Sequence, residues 1–95
     1  PAYVTSKAAI YGLNRSLARS LGPHNIRVNT VSPGATETPM IAEYSNASRD
    51  AAAVRSMLGR IGEPDDIVDV AKFLISDAAR YVTGETISVS GGGSV

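Results

Sequence analysis

Tyr3 and Lys7 stand four residues apart in the run PAYVTSKAAI near the start of the chain. If that run is helical, both side chains lie on one face, because residues four apart are neighbours on a helix surface. A phenol, with an ordinary pKa of ~10, is a poor base at neutral pH. A cation held about 4 Å from a phenolate contributes ~4 kcal/mol at an effective dielectric of about 20. At ~1.36 kcal/mol per unit, such a cation lowers a pKa by up to about 3 units. A tyrosine so placed approaches the range where general acid–base catalysis is efficient. Burial opposes the shift, so the cation must outweigh desolvation. By itself Tyr-x-x-x-Lys is a common spacing, and its ordinary meaning is an exposed aromatic beside a solvated lysine. The surrounding elements decide between the two meanings.

Residues 3–21 read as a helix, with Ile10, Leu13, Leu17 and Leu21 at three- and four-residue spacing. Val4, Ala8, Ala9 and Ala18 widen the apolar stripe and predict a helix buried on two faces. Gly22-Pro23 is expected to stop it. IRVNTVSPG (26–34) is β-branched and bounded by turn residues, which predicts a strand. Thr38-Pro39 offers a hydroxyl cap followed by proline, the start of a short helix carrying Met40, Ile41 and Tyr44. SNAS interrupts it, and a second helix is expected from about Ser48 to Leu58. Two short helices around a polar break suggest that 35–59 is a flap over a site. Residues 62–77 form the cleanest helical pattern, with Ile67, Val70, Ala71, Leu74 and Ile75 on one face and Glu63, Asp65 and Asp66 at the positive end of the dipole. TISVS (86–90) alternates as a short strand, followed by Gly91-Gly92-Gly93.

The order helix, strand, flap helices, helix, strand implies a parallel strand pair in an α/β sheet. A two-stranded parallel sheet does not stand alone, so these elements are expected to be part of a larger doubly wound, Rossmann-like sheet. The 95 residues carry nine basic and nine acidic side chains, scattered and balanced. That balance argues against nucleic acid or a membrane surface as a partner. No apolar run approaches the ~18 residues of a membrane span. The chain has no cysteine, which removes disulfides and thiolate metal sites and fits a reducing, cytoplasmic setting. Asn46-Ala47-Ser48 matches a glycosylation sequon but is expected to be a helix start.

Three blocks in order, YVTSKAAI, RVNTVSPGATETPM and GRIGEPDDIVDVAKFLISDAARYVTGETISVSGG, cover essentially the whole chain. Together they resemble the C-terminal part of the short-chain dehydrogenase/reductase family, the tail looking most like its 3-oxoacyl carrier-protein reductases and its sugar or polyol dehydrogenases. The resemblance implies an oxidoreductase using NAD or NADP to interconvert a small-molecule carbonyl and a secondary alcohol, and a homotetramer. It implies that Tyr3 is the general acid/base, and that Lys7 holds the nicotinamide ribose and makes the Tyr3 proton easier to lose. Pro33 and Gly34 would close over the nicotinamide, Thr36 would meet the carboxamide through its backbone, and Thr38 would reach the carboxamide or pyrophosphate. Met40, Ile41, Tyr44, Met57 and Leu58 would line the substrate flap.

The resemblance also implies features for which this chain offers no position: a Gly-rich dinucleotide fingerprint, a cofactor-selecting residue, a helix asparagine and a serine ahead of the tyrosine. Residues 1–95 are therefore expected to be the C-terminal part of one domain of roughly 250 residues, inactive alone. Ser6 and Asn14 match none of the missing positions. Ser90 stands where the family has aspartate. A truncated interaction module without catalysis is the alternative. The epimerase relatives sharing Tyr-x-x-x-Lys would extend well past the last strand. His24 is expected in an exposed turn, Asp65, Asp66 and Asp69 form a solvated helix start and no metal site, and Tyr81 is expected to pack below the last strand.

Overall fold

A computed structural model describes residues 1–37 and 45–93. The first helix, α1, spans Ala2–Leu21 as its periodicity predicts. Its end differs from expectation. Gly22 keeps right-handed helical angles, and the chain tightens into a 3-10 turn over Gly22–His24. Asn25 then takes the left-handed conformation at φ 59° and donates its N–H to the Gly22 carbonyl. Pro23 opens this turn without needing a donor, and asparagine tolerates the left-handed region, so Asn25 makes the reversal.

Strand β1 covers only Thr30–Pro33, shorter than the β-branched run. Residues 27–29 face 82–85 through other bonds. Gly84 N–H donates to the Val28 carbonyl (2.7 Å), and Val28 N–H to the Thr83 hydroxyl (3.0 Å). Asn29 bonds Val82 and Glu85 through both ends of its amide. Side chains thus satisfy backbone groups that a regular ladder would otherwise claim.

Helix α2 runs Asn46–Arg55, two residues earlier at its start than the pattern suggests. Ser45 is the cap, its hydroxyl accepting the Ser48 N–H, so the Asn46 sequon opens a helix as expected. The helix stops at Arg55 because Ser56 turns extended. Helix α3 covers Pro64–Ile75 with Asp65 and Asp66 in its first turn. The Asp66 carboxylate accepts the Glu63 N–H at 2.7 Å, a bond of the capping-box kind. Strand β2, Thr86–Val89, pairs with β1 in a two-stranded parallel sheet.

The chain forms two compact units, Pro1–Thr30 with Phe73–Ile87, and Val31–Lys72 with Ser88–Val95. In the first, the buried face of α1 is Asn14 and Ala18, not the predicted leucine stripe. Ile10, Leu13 and Leu17 stay exposed, so α1 is not buried on two faces within this chain. Tyr81 is fully exposed (100%), against expectation. The 3-10 turn Asp77–Ala79 buries the small Ala79 in its place and leaves the tyrosine outside.

Candidate active site

In the first unit, α1 carries Tyr3 and Lys7 on one face, with the Lys7 ammonium 5.7 Å from the Tyr3 ring centroid. The structure therefore brings this predicted pair together, at a separation where a cation is attracted to a ring face. Tyr3 is 64% exposed, so the phenol faces open space. Ser6 spends its hydroxyl on the Ala2 carbonyl one turn back.

The platform behind α1 is built from side chains that bind carbonyls. Asn14, only 4% exposed, donates its amide to the Glu85 carbonyl (3.1 Å) and more weakly to the Thr86 hydroxyl (3.5 Å). Its Oδ1 has no partner among the described residues. Arg15 reaches the Gly84 carbonyl. Arg27 donates to the carbonyls of Leu74 (2.7 Å), Val82 (3.3 Å) and Ser76 (3.4 Å). A guanidinium at the carbonyl end of α3 satisfies groups a helix leaves open and complements its dipole. The sequence marks Arg27 as part of a block but gives no hint of this role, because its partners lie some fifty residues away.

The second unit holds Pro33, Gly34, Thr36, Met57 and Leu58. A Cβ on Gly34 would stand 2.7 Å from the Ser90 Cβ and 2.8 Å from its Cα. The close approach that requires glycine here is thus to Ser90 at the end of β2. Thr36 forms a parallel bridge with Gly62. The bridge uses the Ala35 carbonyl and the Glu37 N–H, so it does not consume the backbone groups of Thr36 itself. The Thr36 hydroxyl turns back to the Gly34 carbonyl at 2.9 Å. Thr38, Met40, Ile41 and Tyr44 lie outside the described residues.

Two ion pairs tie this unit. Arg49 on α2 grips the Glu37 carboxylate with both guanidinium nitrogens, one bond being 3.0 Å. The Arg49 hydrogen bonds hold the Glu37 carboxyl below its usual range. Arg60 pairs with Asp66 at 2.8 Å. That hydrogen bond, with the one from the Glu63 N–H, lowers the Asp66 pKa to about 2. A cavity of about 120 Å³ is lined by Ala35, Ser56, Leu58, Gly62, Val89 and Ser90, among others, with the Arg60–Asp66 pair at its wall. Leu58 lies on the wall of this cavity, and Met57 stands 85% exposed. No cluster of potential metal ligands occurs among the described residues, and no described helix is long and apolar enough to cross a membrane.

A family model described as enoyl-(acyl carrier protein) reductase matches residues 1–94. A 3alpha-hydroxysteroid dehydrogenase of Mediterraneibacter gnavus is 52% identical over 89 residues, 94% of this chain and 36% of its own length. A 3-oxoacyl-(acyl-carrier-protein) reductase of Thermotoga maritima is 43% identical over 95% of this chain and 37% of its own length. Among solved structures, a 4-hydroxyisoleucine dehydrogenase complexed with NADH superposes with a TM-score of 0.90 at 40% identity, covering 98% of this chain and 39% of that one. The chain thus spans little more than a third of the length of the relatives it matches.

Proposed function

The chain belongs to the short-chain dehydrogenase/reductase family, and on that footing we propose that it is the C-terminal part of a longer NAD(P)-dependent oxidoreductase. The reaction is the interconversion of a carbonyl and a secondary alcohol. The observation that carries this reading is the Tyr3–Lys7 pair, with its cation 5.7 Å from the phenol ring on one face of α1. It gains support from matching relatives that are reductases and dehydrogenases along the whole chain.

When bound, the nicotinamide supplies or accepts the hydride. Tyr3 hands its hydroxyl proton to the carbonyl oxygen in reduction and takes it back from the alcohol in oxidation. Lys7 stabilises the phenolate left behind and holds the ribose hydroxyls. Thr36 would hold the carboxamide through its backbone, Thr38 would reach the carboxamide or the pyrophosphate through its hydroxyl, and Pro33-Gly34 would close over the ring. The 35–59 segment covers the substrate and excludes water, with Met40, Ile41, Tyr44, Met57 and Leu58 as apolar lining. A 3-oxoacyl thioester is the substrate class taken here, in keeping with the matching 3-oxoacyl-(acyl-carrier-protein) reductase, and a sugar or polyol is the alternative that the resemblance leaves open. The full protein is read as cytoplasmic and as a homotetramer, the oligomer being supported by the exposed apolar residues of α1 and testable by light scattering.

Tyr3→Phe in the full-length protein is the decisive variant. It should bind NADH or NADPH as the wild type does in a fluorescence titration and lose turnover by about 100-fold or more. Turnover within a few-fold of wild type would refute the role of Tyr3.

A further inference from the structure

The glycine turn after β2 has no part in the chemistry above, yet it is the seat of the segment that follows α2. Ser56 is nearly buried, and its hydroxyl donates to the Gly91 carbonyl at 3.2 Å. The same carbonyl accepts the Leu58 N–H at 3.1 Å, and the Leu58 N–H also lies 3.2 Å from the Ser56 hydroxyl. Gly59 N–H returns to the Ser56 carbonyl at 3.0 Å, closing a tight turn. The fit leaves no room on the glycine side. A Cβ on Gly91, at φ +62°, would meet the Ser56 hydroxyl at 2.4 Å. One on Gly92, at φ +82°, would meet the Met57 Cγ and Sδ at 2.7 Å.

The backbone of 56–58 is therefore pinned, while its two apolar side chains are largely uncovered, Met57 at 85% and Leu58 at 70% exposure. Uncovered apolar groups on a fixed backbone can contact an apolar ligand without first being ordered, and such preorganisation raises affinity. We propose that Ser56 and Gly91 are positioning residues that hold Met57 and Leu58 ready for the apolar part of the carbonyl substrate. This rests on the oxidoreductase reading above and adds to it a determinant of substrate affinity placed outside the acid–base pair.

The test uses the full-length protein, a 3-oxoacyl thioester with a medium-length chain, and two readouts. Ser56→Ala should raise KM about fivefold, the factor carried by one hydrogen bond of about 1 kcal/mol, with kcat within about twofold. It should also speed tryptic cleavage of the Arg55–Ser56 bond in the enzyme without substrate, while cleavage after Lys72 keeps its rate. Gly91→Ala should move both readouts further in the same direction. An unchanged KM, or a fall in kcat with KM fixed, would overturn the positioning role. An unchanged cleavage rate would overturn the docking itself. If the wild type turns over no carbonyl with either nicotinamide, the oxidoreductase reading is what fails, and the cleavage rates alone then decide whether Ser56 docks the segment.

Discussion

The two units are held by different bonds. The first relies on amides and a guanidinium that donate to backbone carbonyls, as Asn14 does to Glu85, Asn29 to Val82, and Arg27 to Leu74, Ser76 and Val82. None of these bonds contains a carboxylate. The second unit relies on Glu37–Arg49 and Arg60–Asp66, both of which need an ionised acid. The unit carrying Tyr3 and Lys7 is thus tied by contacts indifferent to acid. The unit carrying α2 and the glycine turn is the one that acid loosens.

The largest effect is expected from the chain by itself. With Val4, Ile10, Tyr11 and Leu13 uncovered on α1, residues 1–95 alone should show no sharp thermal transition by calorimetry. A cooperative melt of the monomer would contradict that. Next comes Arg27→Ala in the full-length protein. It strips three carbonyls of a charged donor and should cost about 3 kcal/mol in urea unfolding. Asn14→Ala removes one buried neutral donor from the Glu85 carbonyl and should cost about 1 kcal/mol by the same measurement.

The smallest effect belongs to the second unit and depends on pH. The Asp66 pKa is lowered from 3.8 to about 2, so its ionised form is favoured by folding. Its contribution is complete above the ordinary carboxylate range and is lost as pH falls from about 4 toward about 2. Asp66→Asn should therefore lower the melting temperature slightly at neutral pH and leave it unchanged near pH 2, where the wild type has lost the same contribution. Glu37→Gln should follow the same sign, since Arg49 lowers the Glu37 pKa too. Equal losses at both pH values would place the effect in packing and not in charge.

Local patterns carried most of the fold. Proline and acids at the start of α3, periodic leucines on α1 and alternation in β2 all act within a few residues, and each element stands where its pattern puts it. Sequence failed where distant partners decide. The run 26–34 has strand propensity throughout, but Thr83 takes the Val28 N–H, and Asn29 takes the Val82 carbonyl and the Glu85 N–H of the facing segment. Ala18 of the predicted stripe is buried, but Asn14 beside it was not legible, because an apolar pattern does not mark the polar residue that β2 receives. The Tyr3–Lys7 pair was legible because both residues sit on a single helix. Glu37–Arg49 and Ser56–Gly91 were not, since twelve and thirty-five residues separate the partners and no spacing rule spans such gaps.

The Thr36–Gly62 bridge closes the base of the excursion from 37 to 61. Once a loop is pinched at its root, its length matters little to the rest of the molecule: doubling it costs only ~0.6 kcal/mol in closure entropy. Two backbone hydrogen bonds at the root, Glu37 N–H to the Gly62 carbonyl and Gly62 N–H to the Ala35 carbonyl, thus uncouple the length of the stretch from the strands that flank it. A chimera that replaces 38–61 by a family member's segment of another length, with Arg49, Ser56 and Arg60 kept for their bonds to Glu37, Gly91 and Asp66, should keep both strands in register.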